Sequence, residues 1–130
     1  MKRRTYLKTM LAASAVSVVS QAADPARPIQ LHVDLAVDPK KEKDMHRIFE
    51  TSFKPAAAKQ PGYIDVKMLK LRSTVMGKAP EGGVNYRFAL TFQSEELRQK
   101  WIATPIHQKV WPEMESTLAH KNYNVLLFDA

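Results

Sequence analysis

Residues 101–115 hold the side chains whose types and spacing are best suited to chemistry. Both tryptophans of the chain, Trp101 and Trp111, lie in this segment on either side of His107. Imidazole titrates near neutral pH, and indole rings offer flat apolar surfaces to an aromatic ligand. The segment therefore predicts a site for proton transfer at a small aromatic molecule. The alternative interpretation is that both tryptophans are core and that His107 is satisfied by a nearby backbone group.

The same segment contains a predicted break between two helices. Thr104 followed by Pro105 has the form of an N-cap and first helical residue, because the hydroxyl can accept a free backbone N–H and proline has none to leave unpaired. A helix that ends near Ala103 would therefore meet the next helix at an angle. One face of that second helix carries four residues at helical spacing: His107, Trp111, Met114 and Leu118.

The elements that position this segment can be read from hydrophobic periodicity. Alternation of side chains predicts strands at 29–37 and 85–93, and two further strands are expected at 63–72 and 123–129. Asp38 and Pro39 begin a helix that Pro55 must kink or restart, and Ser94 caps a shorter helix. The order predicts an α+β, ferredoxin-like βαββαβ fold, in which the helices cover one face of a four-stranded antiparallel sheet.

Alternation also predicts which side chains point away from the helices. On the first and third strands these are small, polar and charged: His32, Asp34, Ala36, Arg87, Ala89 and Thr91. Such a face is a poor core but a reasonable wall for a cavity. We expect it to face the aromatic segment across a hollow. The strand at 63–72 is mixed on both faces, so its orientation stays open.

Length and charge exclude several classes of protein. The 130 residues are enough for one domain. Residues 1–22 hold four of the 20 basic side chains and none of the 13 acidic ones, so +3 of the net charge of +7 remains for the rest of the chain. Acidic and basic residues are interleaved there, which argues against nucleic-acid binding. The absence of cysteine excludes disulfides and thiolate chemistry.

Residues 1–23 have the features of a secretory signal peptide, with a basic start, a short apolar run and small residues before the cleavage point. Arg3 and Arg4 lie in a stretch that resembles the twin-arginine export motif. We expect residues 24–28 to be a linker and residues 29–130 to form the mature domain, periplasmic or secreted. An uncleaved anchor is the alternative, but the apolar run is too short to span a bilayer, so no membrane span is expected after processing.

Residues 29–129 resemble the antibiotic biosynthesis monooxygenase-like proteins of the dimeric α/β-barrel superfamily. The resemblance rests on the first and third strands and on three short motifs: Phe53-Lys-Pro, Gln60-Pro-Gly-Tyr63 and Trp101-x-x-Thr104-Pro105-x-His107. It implies a homodimer in which two sheets pair, with a pocket in each subunit between the sheet and the bent helical segment. Members include cofactor-free quinol monooxygenases, haem-degrading enzymes and proteins without established activity.

The resemblance also distinguishes among these activities. Haem-degrading members carry an axial histidine ten positions after the tryptophan and an asparagine on the first strand. This chain has Trp111 at the former position and Val33 or Asp34 near the latter, so haem degradation is the least favoured activity unless His107 ligates the iron. Quinol-type members often have histidine where Trp101 stands, and end the bent segment with histidine or phenylalanine.

Cofactor-free oxygenation needs a base to ionise a phenol or quinol, a positive charge to stabilise the anion, and a dry aromatic pocket that holds the anion beside dioxygen. We expect His107 or His32 to be the base and Arg87 to supply the charge. The expected substrate-binding residues are Trp101, Trp111, Tyr63, Asp34 and Thr91.

Several of these residues also have a structural interpretation. His32 and Asp34 could form an exposed pair, Arg87 could be a cross-strand ion-pair partner, and Tyr63 could cover the dimer contact. The other two histidines are scattered and have no carboxylate at ligand spacing, so we expect no metal site and no cofactor.

Together these observations predict an exported, homodimeric monooxygenase that oxygenates a small aromatic or quinol with dioxygen. The second hypothesis is a non-catalytic, stress-associated barrel that binds a small apolar ligand. A haem protein is the third. A domain this small, without disulfides, would gain stability from pairing with a second copy.

Overall fold

The computed structural model of the chain describes residues 27–130. The predicted signal peptide, and most of the predicted linker, lie outside the described residues. None of the helices within the described part is long and apolar enough to cross a membrane.

Four antiparallel strands form a single sheet. They are β1 (Ile29–Leu35), β2 (Tyr63–Lys70), β3 (Tyr86–Phe92) and β4 (Asn124–Asp129), arranged in the order β2-β3-β1-β4. The two central strands are the ones whose alternation is strictest, and β4 is an edge strand that pairs only with β1. Each strand ends within two residues of its predicted bounds.

The helical connections cover one face of this sheet. The first consists of a 3₁₀ turn (Pro39–Lys41), α1 (Glu42–Ile48), a π-helical turn (Phe49–Phe53) and α2 (Lys54–Ala58), and the second of α3 (Glu95–Ile102) and α4 (Pro105–Glu115). Pro55 directly follows the π-helical turn, and the backbone stays helical through Phe53 and Lys54, so the predicted kink or restart takes the form of a change in helix type. The π-helical turn was not predicted.

Strand alternation decides which side chains reach the core. On β1 the buried set is Ile29, Leu31, Val33 and Leu35, and on β3 it includes Tyr86, Phe88, Leu90 and Phe92. Both sets pack with the helices, and the polar residues between them lie on the opposite face, which we call the open face. The ferredoxin-like fold is therefore confirmed, whereas the pairing of two chains into a barrel remains a prediction.

A bulge explains why β2 reads as mixed on both faces. The pairing partner shifts between Tyr63 and Asp65, which leaves Ile64 without a partner on β3 and 48% exposed. Because an extra residue reverses the alternation, Tyr63 and Val66 both face the helices although they are three positions apart. No simple period-2 pattern could have assigned this strand.

Candidate functional site

The bend between α3 and α4 brings Trp101 and His107 together. The Thr104 hydroxyl accepts a hydrogen bond from the backbone N–H of His107 at 3.2 Å and donates one to the Trp101 carbonyl at 2.7 Å. It thus caps α4 and holds the end of α3, as the sequence predicts. The indole of Trp101 and the imidazole of His107 then lie with their ring centroids 4.9 Å apart, nearly perpendicular.

Aromatic rings surround the imidazole on the helix-covered side of the sheet. Trp111 lies nearly parallel to His107 with ring centroids 6.4 Å apart, as expected for residues one helical turn apart. Phe53 lies 5.9 Å from Trp101 and 5.8 Å from Trp111, in both cases edge to face. Phe88 of β3 lies 5.5 Å from Trp111. These rings fix the imidazole in an apolar setting.

The rings line a small, partly open cavity, which we call the His107 cavity. Its volume is about 150 Å³, and its walls combine the aromatic side chains with Leu31, Val33 and Ile102. A cavity of roughly this volume, lined by aliphatic and aromatic residues, is able to hold benzene. The size and lining therefore suit a single aromatic ring.

Arg98 brings a guanidinium, paired with Glu95, to the wall of this cavity. Its side chain is only 12% exposed and pairs with both carboxylate oxygens of Glu95 at 2.7 Å. The charge on Arg98 also bears on His107, whose pKa is lowered mainly by burial and further by the nearby guanidinium. His107 is therefore neutral at pH 7 and can accept a proton.

Sequence reasoning missed Arg98 and assigned its role to Arg87. A signal was present, because Glu95, Arg98 and Trp101 follow one another at three-residue spacing and so share a face of α3. That face is the one that packs against the sheet.

The polar groups of the two tryptophans at the His107 cavity differ in their hydrogen bonding. Trp111 donates its indole N–H to the Tyr123 hydroxyl at 3.1 Å, and Tyr123 donates to Glu115 at 2.6 Å, so both rings are held in place. Burial and the Glu115 carboxylate raise the pKa of Tyr123. The buried indole N–H of Trp101, in contrast, has no partner among the described residues, an arrangement that usually costs stability.

The other predicted residues lie on the open face, away from His107. Arg87 forms a two-pronged ion pair with Asp34 at 2.7 and 3.1 Å, and His32 donates to Gln30 at 2.7 Å. Thr91 accepts a hydrogen bond from Gln30 at 3.0 Å. In the pairing of β1 with β3, His32 lies opposite Ala89 and Asp34 lies opposite Arg87.

The prediction that His32 and Arg87 share a cavity with His107 is therefore wrong. The bent segment packs on the apolar face because Trp101, Val110 and Met114 are buried there, so the sheet itself separates the two groups. The hollow was expected on the uncovered side of the sheet and lies on the covered side.

Tyr63 also stays outside the His107 cavity. It is half-buried at the start of β2, with its ring edge to face with Phe92 at 6.3 Å, and burial raises its pKa. Its expected role as a substrate-binding residue has no support from this position.

The two remaining histidines have structural contacts. His46 donates to the Tyr86 hydroxyl at 3.0 Å, and His120 donates to the Gly82 carbonyl at 2.7 Å. Across residues 27–130, no three His, Asp or Glu side chains are grouped in a way that could hold a metal ion.

Similar folds occur among solved structures of low sequence identity. A mutant form of SnoaB, a cofactor-independent oxygenase from Streptomyces nogalater, superposes with a TM-score of 0.63 at 14% identity over 81% of this chain and 94% of its own. A candidate antibiotic biosynthesis monooxygenase from Caulobacter crescentus gives a TM-score of 0.63 at 16% identity, covering 82% and 92%. A conserved protein from Methanosarcina mazei gives 0.62 at 13% identity, covering 81% and 94%.

No protein-family model and no curated protein matches the sequence. The likeness to solved structures thus concerns the fold. The chain has the ferredoxin-like fold of the antibiotic biosynthesis monooxygenase-like proteins.

Proposed function

We propose that this protein is a cofactor-independent monooxygenase that acts on a one-ring phenol or quinol in the His107 cavity. One observation carries the proposal: the His107 imidazole, whose pKa is lowered by burial, lines an aromatic cavity of about 150 Å³ together with Arg98. Base, positive charge and dry aromatic walls are the three requirements of the chemistry.

In this proposal His107 removes the hydroxyl proton of the substrate. The resulting anion is rich in electrons and reacts with dioxygen, while Arg98 stabilises it through the N–H groups that are not used on Glu95. For 1,4-hydroquinone the balanced reaction gives hydroxybenzoquinone and water. One oxygen atom enters the ring, and the substrate itself supplies the electrons that reduce the other.

Cavity size favours one ring over larger substrates. Pockets that hold drug-sized molecules usually measure about 300–1,000 Å³. The His107 cavity lies well below that range, so two-ring quinols should react more than about tenfold more slowly than one-ring quinols. Haem is larger still, which agrees with the missing axial histidine at position 111.

The test is oxygen uptake with 1,4-hydroquinone, corrected for uncatalysed oxidation in an enzyme-free blank. The wild type should consume one molecule of dioxygen per molecule of quinol, and His107→Ala should fall to the blank. His46→Ala is the control, because His46 is exposed, bonds to the Tyr86 hydroxyl and does not line the His107 cavity. Uptake by the wild type no faster than the blank would remove the proposal. Retention of the quinol without oxygen uptake would instead support the non-catalytic binding protein.

We also propose that the protein is a homodimer joined through the apolar residues of β4 and the neighbouring β1 residues Gln30 and His32 on the open face. Four consecutive apolar residues on this edge strand, Val125, Leu126, Leu127 and Phe128, are each about half exposed. Exposed apolar edge strands commonly serve as contacts between chains. Light scattering should give twice the monomer mass, and Leu126→Lys with Phe128→Lys should give a monomer.

Export by the predicted signal peptide completes the proposal. The mature domain would then act in the periplasm or outside the cell. Replacement of Arg3 and Arg4 by lysine should leave unprocessed precursor in the cytoplasm if the twin-arginine route is used. Continued export of that variant would instead favour the general secretory route.

A further inference from the structure

A second and larger cavity lies on the open face, at the end nearest the connection between β2 and β3. Its volume is about 330 Å³, within the range typical of ligand pockets. Asp34, Arg87 and Leu69 form its floor as one row across three strands, because Arg87 pairs with both of the others. We call it the loop cavity. The sheet separates it from the His107 cavity.

The connection that walls this cavity is long and fastened at several points. It spans residues 71–85, whereas loops of β-hairpins usually have about two to five residues. At its base, Asn85 accepts a hydrogen bond from the Val37 N–H at 2.8 Å and donates one to the Val37 carbonyl at 2.9 Å. Nearer its middle, the Gly82 carbonyl accepts from His120. These bonds tie the loop to the residues that follow β1 and precede β4.

The charges at the loop cavity leave one cation without a partner. Arg87 is neutralised by Asp34, and Lys70 pairs with Glu42 at 2.7 Å. Arg72 lines the cavity and forms no ion pair with any residue in 27–130. The lining therefore carries one uncompensated positive charge.

Apolar side chains form the rest of the wall. Leu69 and Leu71 are 48% and 42% exposed, and Pro80 and Val84 of the loop line the same space. Exposed leucines beside a cation suit a ligand that has both an apolar body and a negative group.

We propose that the loop cavity binds a small carboxylate with an apolar body, as a monoanion. Arg72 would pair with the carboxylate through its planar guanidinium, which matches that group in shape. Arg87 uses Nε and one Nη on Asp34, so its other N–H groups can add a second contact. The single uncompensated positive charge of the lining matches a monoanion better than the dianionic form of phosphate. Leu69 and Leu71 would cover the apolar body.

Octanoate is the probe, with octanol and inorganic phosphate as comparisons, and binding is followed by calorimetry and by amide chemical shifts of the full mature chain. Octanoate should move the amide signals of residues 69–72 and 84–87, and should bind at least about tenfold more tightly than octanol, as a charge-assisted contact requires. Equal binding of octanol, phosphate-induced shifts as large as those with octanoate, or shifts confined to residues around His107, would overturn the proposal.

A matched pair of variants tests the role of Arg72. Arg72→Gln should weaken octanoate binding about tenfold, whereas Lys78→Gln, in the same loop but away from the cavity lining, should leave it within about twofold. Equal effects of the two variants would reduce the contact to general charge attraction and overturn the proposal. Hydroquinone oxidation plays no part in this measurement, so a failure here leaves the proposed activity untouched.

Discussion

The rings of Trp101 and His107 meet edge to face, with their centroids 4.9 Å apart and their planes at 88°. The two residues belong to different helices, and the contact exists because Thr104 ends one helix and caps the next. The bend that brings the candidate base to Trp101 therefore depends on the Thr104 hydroxyl.

Loss of that hydroxyl should change both the stability of the fold and the environment of the His107 imidazole. Thr104→Ala should lower the free energy of unfolding by about 1 kcal/mol, the usual cost of an N-cap. It should also move the ring signals of His107, since the first turn of α4 loses its anchor. Chemical denaturation and nuclear magnetic resonance measure the two effects.

Ser94→Ala is the matched control for this bend. Ser94 caps α3 by accepting from the Leu97 N–H at 3.2 Å, so its loss should cost a similar free energy. The His107 signals should stay in place, because Ser94 lies at the other end of α3. Equal displacement of His107 in both variants would contradict the role given to Thr104.

Arg98→Gln should raise the pKa of His107. The guanidinium disfavours the imidazolium, so its removal favours protonation. Burial remains the larger cause, and the pKa should therefore stay below 6.5, the ordinary value for histidine. Lys100→Gln removes a positive charge from the exposed side of the same helix and should leave the titration unchanged. The pKa is read from the imidazole proton signals, and a downward shift in Arg98→Gln would contradict the prediction.

The buried imidazole should also make stability depend on pH in a defined window. The folded state holds the pKa of His107 below 6.5, so the unfolded chain takes up the proton first as the pH falls. The free energy of unfolding should therefore decrease as the pH falls from 6.5 towards the pKa of the folded state.

His107→Gln should flatten this part of the curve, which denaturation at several pH values can measure. Glu95 provides a separate reference, because its pKa is lowered from 4.5 by the ion pair with Arg98. The stability that Glu95 contributes is lost only as the pH falls below 4.5. An unchanged slope near pH 6 in His107→Gln would contradict the assignment.

Gly62→Ala should destabilise the fold more than Gly77→Ala. Both glycines have positive φ angles, 91° and 84°, so each alanine should cost about 1 kcal/mol in backbone strain. At Gly62 an added Cβ would also lie 2.6 to 3.2 Å from three side-chain atoms of Leu97, whereas nothing lies within 4 Å at Gly77. The overlap should add about 1–3 kcal/mol. Thermal denaturation of the two variants gives the comparison, and equal costs would contradict it.

Local patterns predicted much of this fold. The alternation on β1 and β3 and the caps at Ser94 and Thr104 each depend on neighbours in the sequence, and each is found in the structure. These features are local, so the sequence contains the information directly.

Other features depend on tertiary packing between distant residues, and the sequence did not predict these correctly. The bulge at Ile64 reverses the alternation of β2, and no neighbouring residue signals it. The side of the sheet taken by the bent segment was misjudged, because the polar face was expected to close the cavity. Burial of Trp101 and Met114 places the bent segment on the apolar face of the sheet. Arg98 precedes Trp101 on the same helix and therefore also lines the His107 cavity.

Arg87 and Phe88 are consecutive residues of one strand, yet the first lines the loop cavity and the second the His107 cavity. Insertion or deletion of a single amino acid within β3 would exchange the faces on which their side chains lie. The loop cavity would then lose Arg87, and the His107 cavity would lose Phe88. Length changes in this strand should accordingly be absent from any functioning descendant of the gene, while changes of side chain at one position can alter one compartment and spare its neighbour.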